Sequence, residues 1–254
     1  MSLGRLSFVG NGNAAWQLCY QLRLKKLSVY SIHSRDMDAG AALAKEVGSK
    51  YFPLDKPIHT DTLFLCVPED AVSEILETCD IKAQRVLHCS GSLPMSALSR
   101  FSEFGVFYPI QTMTRKRLLK PAQLTVCVEA SSQGFEDLLI SLARDLGFPY
   151  KVLDSEKRKL AHVSAVMVNN FSNHLWHKAA QFAEEHQIDF DLFLPLLSET
   201  LQKFLRLGGE RAQTGPARRG DEKTIQEHLD LLSENADAGH LYSLFTESIK
   251  NEFK

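Results

Sequence analysis

A glycine turn between an apolar run and a helical pattern is the feature that most limits how this chain can fold. The run from Leu6 to Val9 leads directly into Gly10-Asn11-Gly12-Asn13-Ala14-Ala15, and a helical pattern follows from Trp16 to Leu24. This spacing matches the G-x-G-x-x-G/A pattern, in which a dinucleotide's pyrophosphate rests on the free N–H groups of a helix N-terminus. An ordinary glycine-rich strand–helix turn is the alternative. The pattern predicts a cofactor-binding turn made by Gly10, Gly12, Asn13, Ala14 and Ala15.

The composition gives no reason to expect a nucleic-acid or membrane partner. The 254 residues are 44% hydrophobic and 24% charged, with a net charge of −2, which is typical of a soluble globular protein. No apolar run approaches the roughly 20 residues of a membrane span, and the first apolar segment is already a strand rather than a signal peptide. We expect a cytoplasmic protein without a metal site, whose cysteines stay reduced: Cys19, Cys66, Cys79, Cys89 and Cys127.

The first part of the chain alternates short apolar runs with helical patterns. Because such runs are typical of parallel strands covered on both faces, they predict an α/β domain with a Rossmann-like parallel sheet. The predicted strands after the first are 27–32, 62–67, 85–89, 104–110, 124–129 and 148–153, and the predicted helices are 36–47 and 134–146.

The pattern becomes purely helical after Asp154. Apolar residues recur at helical spacing along one predicted face, and further helices are predicted at 190–207, 222–232 and 241–253. We therefore predict two domains, a Rossmann-like NADP-binding domain at 1–154 and an all-α domain at 155–254. The residues of the apolar face are Leu160, Val163, Met167, Phe171 and Leu175.

The end of the second strand indicates which dinucleotide binds. NAD-binding units place an acidic residue there for the ribose 2′-hydroxyl, whereas this chain has Ser34 and Arg35. A hydroxyl followed by a guanidinium suits a 2′-phosphate, so the pair favours NADP; alternatively, Ser34 caps the next helix and Arg35 is solvated. Val67, Pro68 and Ser90 follow later strands and are predicted to line the nicotinamide half of the site, while His88 is interpreted as a core histidine.

A polar stripe on the first helix of the helical domain supplies candidate catalytic residues. At about 100° per residue, His162, Asn169 and Asn173 lie opposite the apolar face. The stripe either meets water or faces substrate in an interdomain cleft. In the second case His162 is the proton donor, since the ordinary pKa of histidine lies near neutrality. Asn170 is assigned with it as catalytic, and Asn169 as substrate-binding.

The segment from Gln213 to Asp221 contains two glycines, a proline and two adjacent arginines. Asp221 is well placed to cap the helix that follows. The segment is either a capped connector or a basic loop that binds an anion or carboxylate. The second interpretation makes Thr214, Arg218 and Arg219 substrate-binding residues.

Five segments, in matching order, resemble a bacterial family with a Rossmann-like domain and a C-terminal helical domain of unknown function, whose members are labelled NADP oxidoreductases. The resemblance covers nearly the whole chain, and through it Gln111 joins the substrate-binding candidates. The segments are Gly10–Ala15, His88–Ser92, Tyr108–Thr112, Ala161–Val166 with Asn170-Phe171, and Gln213–Asp221 followed by His228-Leu229.

More distantly, the chain is similar to pyrroline-5-carboxylate reductases, ketopantoate reductases and 3-hydroxyacid dehydrogenases. That similarity implies a helical domain like that of 6-phosphogluconate dehydrogenase, often forming a homodimer. The hydroxyacid enzymes carry a catalytic lysine one turn before an asparagine, where this chain has Ala165 and Val166. We therefore expect an NADP(H)-dependent reductase of a small carboxylate-bearing imine or carbonyl compound; the alternative is a non-catalytic NADP sensor.

Overall fold

The computed structural model describes residues 3–253. The chain forms two compact units, Met1–Asn169 and Asn170–Lys254. The predicted boundary at residue 154 coincides with the end of the sheet and the start of a helix, and that helix belongs to the first unit.

The first unit contains one sheet of eight strands in the order β3-β2-β1-β4-β5-β6-β7-β8. All neighbours are parallel except β6 and β7, which are antiparallel. From β1 the chain adds β2 and β3 on one side, and it then returns to add β4 and β5 on the other side. This switch in strand order, between β1 and β4, is where α/β proteins bind ligands. The strands are β1 (Leu6–Val9), β2 (Val29–Ser34), β3 (Lys50–Pro53), β4 (Ile58–Leu65), β5 (Ile81–His88), β6 (Glu103–Pro109), β7 (Val126–Ala130) and β8 (Tyr150–Val152).

Helices cover this sheet and continue past its last strand. The core contains Phe8 and Phe64, whose rings stack 4.7 Å apart on neighbouring strands, and fully buried Ala15 lets the first helix pack closely on the sheet. The predicted Rossmann-like α/β fold is confirmed. The helices are α1 (Asn13–Leu24), α2 (Met37–Val47), α3 (Glu69–Thr78), α4 (Gln133–Leu146) and α5 (Ser155–Ala165).

Strand β3 was not among the predicted strands. It lies at the sheet edge, and its residues are half-buried or exposed, so it lacks the continuous apolar run that marks the other strands. Strands β4 and β5 begin at Ile58 and Ile81, four residues before the predicted starts, because their first halves are partly polar.

The second unit is helical and has very little interior of its own. Within the described part of this unit only Ala183, Ile225 and Thr246 are buried. An apolar cavity of about 680 Å³ lies among its helices. The helices are α6 (Ser172–Glu185), α7 (Leu194–Ala212), α8 (Pro216–Arg219), α9 (Glu222–Leu231) and α10 (Ala236–Glu252).

The single predicted helix with one apolar face is interrupted. A π-helical turn, Val166–Phe171, separates α5 from α6. Because a π turn has more residues than an α turn, the side chains beyond it leave the 100° spacing on which the predicted stripe depended. The five residues of the predicted apolar face are between 39% and 68% exposed rather than packed on a core. Across residues 3–253, no helix is both long and apolar enough to cross a membrane.

Candidate functional site

The glycine turn has the geometry that the sequence pattern requires. Gly10 has φ +106°, and a Cβ there would lie 2.2 Å from the carbonyl oxygen of Cys66, so only glycine fits. Gly12 directly precedes α1, and a Cβ built on it meets no described atom within 4 Å. The backbone at Gly12 is therefore open to a ligand, while Gly10 is packed against the end of β4.

In the part of the chain that the structure describes, the N-terminus of α1 has no side-chain cap, whereas the N-termini of α2 and α4 are capped. Asp36 accepts from the N–H of Ala39 at α2, and Ser132 accepts from the N–H of Phe135 at α4. Among the described residues no side chain caps α1, and its first turn holds no acidic residue. Free N–H groups and the positive end of the helix dipole at that point fit a phosphate group.

Ser34 and Arg35 lie at the end of β2, beside the glycine turn. The buried hydroxyl of Ser34 donates to the carbonyl of Asp36 (2.7 Å) and accepts from Nδ2 of Asn11 (3.4 Å). Because Asp36 caps α2, Ser34 shapes the turn instead of capping the helix. Arg35 lies 3.7 Å from the carboxylate of Glu74, and both side chains are more than 60% exposed. An exposed pair of this kind is weak, so the guanidinium can reorient toward a ligand.

Glu69 organises the loop that follows β5. Its carboxylate accepts hydrogen bonds from the hydroxyls of Ser90 and Ser92 and from the N–H of Ser92 (3.4 Å). Burial raises the pKa of Glu69, but these hydrogen bonds and the charge of His162 outweigh it, so the net pKa is lowered. Val67 and Pro68 directly precede this glutamate. Glu69 was not among the predicted site residues, although an acidic residue just after a strand end was an available signal.

His162 lies against the ends of β5 and β6. Its Nδ1 is 2.9 Å from the hydroxyl of Tyr108, and the two rings pack edge to face. A Cβ on Gly91 would lie 2.6 Å from that Nδ1, so the absent side chain at residue 91 provides space for the imidazole. Burial raises the pKa of Tyr108. His162 is therefore half-buried in the first unit, not solvated as the alternative interpretation held.

The three asparagines that follow His162 lie on different helical elements. Asn169 and Asn170 lie in the π-helical turn, and Asn173 lies in α6. Asn170 is the first residue of the second unit. The catalytic role assigned to Asn170 and the substrate role assigned to Asn169 stay predictions.

Arg158 is a buried cation that the sequence analysis missed. Its Nη1 donates to the Glu129 carboxylate (2.7 Å), and its other nitrogens donate to the carbonyls of Ser90 (3.3 Å) and Leu93. The side chain is fully buried, and burial lowers its pKa although Glu129 raises it. Arg158 precedes His162 by one helical turn, so both project from one face of α5, and this spacing was the available signal.

Gln111 stabilises the loop after β6. Its Nε2 donates to the carbonyl of Gln123 (2.8 Å), and its Oε1 accepts from the N–H of Thr112 (2.8 Å). Both ends of the amide are thus in contact with backbone. The substrate-binding role of Gln111 stays a prediction.

The segment from Gln213 to Asp221 is a turn followed by one short helix. Gly215 has φ +105°, and Asp221 caps α9 by accepting from the N–H of Thr224 (3.1 Å). Arg218 donates to the carbonyl of Phe253 (3.1 Å) and lies over its ring, and Arg219 is 4.0 Å from Asp221. Thr214 lines the apolar cavity. The predicted cap is present, while anion binding by either arginine stays a prediction.

Fold and glycine turn together define the class of protein: a Rossmann-like nucleotide-binding fold followed by a helical region. The domain of unknown function DUF2520 matches residues 124–249. A putative NADP oxidoreductase from Bacteroides fragilis matches in structure with 30% identity, a TM-score of 0.91 and 98% of both chains covered. The chain belongs to the family of this Bacteroides protein, as the motifs of the sequence indicated.

More distant structures share the fold at lower identity. A reductive aminase from Aspergillus terreus in complex with NADPH4, cyclohexanone and allyl amine has 14% identity and a TM-score of 0.72, over 99% of this chain and 95% of its own. A 1-pyrroline-5-carboxylate reductase from Streptococcus pyogenes has 12% identity and a TM-score of 0.62, over 98% of both chains. No curated protein matches the sequence.

Proposed function

We propose that the protein is an NADP(H)-dependent reductase of a small imine or carbonyl compound that carries a carboxylate. The observation that carries the proposal is the His162–Tyr108 pair, which lies at the carboxyl ends of β5 and β6 in the same unit as the uncapped N-terminus of α1. A titratable pair at this edge of a nucleotide-binding sheet is suited to proton transfer beside a reduced nicotinamide.

The first unit fits NADP on physical grounds. Gly12 offers open backbone directly before α1, and Asn13 and Ala14 belong to the uncapped first turn of that helix, which suits the pyrophosphate. Arg35 is the proposed partner of the 2′-phosphate, because its exposed pair with Glu74 is easily exchanged for a charge-assisted phosphate contact. When bound, NADPH supplies the hydride. The family relationship to an NADP oxidoreductase supports this assignment.

His162 is the proposed proton donor. With Nδ1 against the Tyr108 hydroxyl, the other ring nitrogen, Nε2, holds the proton that passes to the substrate nitrogen or oxygen as its carbon accepts the hydride. Asn170 is retained as a second catalytic candidate.

The substrate class rests on the remaining predicted residues. Arg218 and Arg219 are exposed cations suited to a carboxylate, and Gln111, Asn169 and Thr214 are the proposed polar partners. The fold relatives named as a reductive aminase and as a 1-pyrroline-5-carboxylate reductase support this class. A small imino acid is therefore the first compound to test.

We further propose that the second unit forms a homodimer through its helices. Three buried residues cannot supply the hydrophobic stabilisation of an independent helical unit, whereas many large apolar side chains of this unit are exposed. A second copy that covers these side chains would provide the missing interior. The cytoplasmic location stays a prediction from sequence.

The second candidate function is an NADP sensor without turnover. Ala165 and Val166 occupy the positions at which the hydroxyacid enzymes carry the catalytic lysine. A chain of this fold without that lysine could bind the cofactor and act through a partner.

Binding and turnover assays separate the two functions. The reductase proposal predicts saturable NADPH binding together with substrate-dependent loss of nicotinamide absorbance for at least one compound in a panel of cyclic imino acids and keto acids. Saturable binding with no such loss across the panel would support the sensor instead.

A further inference from the structure

A basic loop lies against the glycine turn. Three consecutive cations, Arg115, Lys116 and Arg117, follow β6. The Nη2 of Arg115 donates to the carbonyl of Asn11 (2.6 Å), which belongs to the glycine turn, and its guanidinium lies 6.0 Å from the Trp16 ring. A guanidinium thus contacts the turn directly, and all of these residues belong to the first unit.

Two buried glutamines of α1 fix the position of this loop. The Nε2 of Gln17 donates to the carbonyls of Thr114 (3.0 Å) and Arg117 (2.6 Å), and its Oε1 accepts from the N–H of Leu119 (3.2 Å). The Nε2 of Gln21 donates to the carbonyl of Leu119 (2.7 Å). Both side chains are almost fully buried. Since polar groups are buried at a cost, these contacts indicate a loop built to stay beside α1.

We propose that Arg115 is a ligand of the cofactor's pyrophosphate and that Gln17 is its positioning residue. This inference rests on the proposed NADP-binding function and adds a contact that neither the G-x-G-x-x-G/A pattern nor the 2′-phosphate pair contains. The carbonyl of Asn11 is an uncharged partner, and a phosphate would give the same guanidinium a charge-assisted, bidentate contact.

The pyrophosphate, and not the 2′-phosphate, is the group that Arg115 is placed to meet. Its partner is the backbone of the turn, directly before the open N-terminus of α1. The side chain of Asn11 points the other way, to Ser34 and the carbonyl of Asp36 at the end of β2. Arg115 and Arg35 therefore serve different phosphates, and only Arg35 distinguishes NADPH from NADH.

The test measures, by titration calorimetry, the nucleotide affinity of three variants at two arginines, Arg115 and Arg100. Arg100 is the matched control, because it is exposed, donates to the carbonyl of Leu76 and lies over the Phe101 ring, away from the turn. We expect Arg115→Ala to lower the affinity for NADPH and the affinity for NADH by the same factor, about tenfold or more, because a charged hydrogen bond is lost. Arg115→Lys should recover part of that affinity. Arg100→Ala should bind both nucleotides like the wild type.

A second pair of measurements separates positioning from folding. Gln17→Leu should weaken both nucleotides and reduce the salt dependence of binding as Arg115→Ala does, while the melting temperature of Arg115→Ala without nucleotide should match that of Arg100→Ala. If the wild type binds NADPH and Arg115→Ala binds it equally well, or loses NADPH affinity alone, the pyrophosphate role is wrong. If the wild type does not bind NADPH, the proposed function itself is wrong.

Discussion

A single missing side chain determines where the candidate proton donor lies. Any Cβ on Gly91 would overlap the imidazole of His162, which is also in contact with the Tyr108 hydroxyl. Gly91 and His162 are 71 positions apart in the sequence. Gly91 and Tyr108 come close together because the sheet places the ends of β5 and β6 next to each other. The sequence identified His162 as a candidate but not its partners, since those depend on strand order.

Replacement of His162 tests the proton donor. His162→Ala should lower kcat by about a hundredfold or more, the usual contribution of general acid catalysis, with NADPH affinity unchanged. Tyr108→Phe keeps the ring and should lower kcat less. His59, an exposed histidine paired with Asp80 in the same unit, provides the control, and His59→Ala should keep wild-type kcat. Steady-state kinetics and an NADPH titration measure both quantities; unchanged turnover in His162→Ala would exclude this role.

His88 makes the stability of the fold depend on pH. Burial lowers its pKa to about 4, with a further lowering by Arg158 and opposing effects of Pro94 and Glu69. In the unfolded chain, His88 takes up a proton when the pH falls below its ordinary pKa of 6.5, whereas in the folded chain it stays neutral down to a pH of about 4. The folded state therefore loses stability as the pH falls from 6.5 toward 4. His33 has a pKa lowered to about 4 by burial and acts in the same direction.

The variant His88→Asn should lose less stability on acidification than the wild type. The expected difference is at most about 1.4 kcal/mol per pH unit for one proton. Denaturant unfolding at about pH 7 and about pH 5 would measure it. An equal loss in both proteins would show that His88 does not contribute to the pH dependence.

At the scale of elements, α5 joins the candidate site to the sheet. One face of this helix carries His162 and, one turn earlier, Arg158, whose guanidinium contacts Glu129 at the end of β7 and two carbonyls of the 90–93 segment. The helix pattern was predictable from the sequence. A buried arginine was not, because its burial depends on a carboxylate from a distant strand.

Removal of Arg158 alone should destabilise the protein strongly. Arg158→Met leaves the Glu129 carboxylate without its cation, and breaking a buried pair in this way costs about 3–5 kcal/mol. Replacing both partners, in Arg158→Met with Glu129→Leu, should recover part of that loss, since no uncompensated charge remains. The control for loss of a surface arginine is Arg144→Met, because Arg144 is exposed and donates a hydrogen bond to the Tyr150 hydroxyl. Chemical denaturation of the four proteins tests this, and a double variant no more stable than Arg158→Met would contradict it.

Two of the elements that sequence reasoning missed have physical explanations. Strand β3 is a short edge strand without an apolar run, and the π-helical turn 166–171 breaks a periodicity that looks continuous in the sequence. Apolar periodicity reports burial on a regular helix or strand, so an exposed edge and a change of helix type leave little trace in it.

For the whole molecule, the site implied by the strand order was predictable from the sequence, whereas the small interior of the second unit was not. The sheet order accounts for a ligand site at the ends of β1 and β4, which the glycine turn and the alternating pattern already indicated. The nearly coreless second unit was not predicted, because helical spacing of apolar residues indicates that they share a face and not that the face is buried. Spacing alone does not reveal whether the same chain or another copy covers that face.

If the second unit forms the proposed homodimer, a charge on its exposed apolar surface should separate the two copies. Leu205 on α7 is 72% exposed, and Leu205→Glu should convert a dimer to a monomer because a charge would have to be buried in the interface. Leu24 at the end of α1 is 55% exposed in the first unit, and Leu24→Glu should remain dimeric. Light scattering over a range of concentrations measures this; a monomeric wild type at working concentration would remove the dimer.

Transfer of the hydride from NADPH to a substrate is the direct test of the reductase assignment. Two samples of NADPH, each labelled with deuterium on a different face of the nicotinamide, should be incubated separately with every compound of the imino acid and keto acid panel, and the products analysed by mass spectrometry. We predict that the wild type transfers the label from one face only into the reduced product, and that His162→Ala, still binding NADPH, transfers it far more slowly. Saturable NADPH binding with no label in any product across the whole panel would contradict the reductase assignment and support a nucleotide sensor.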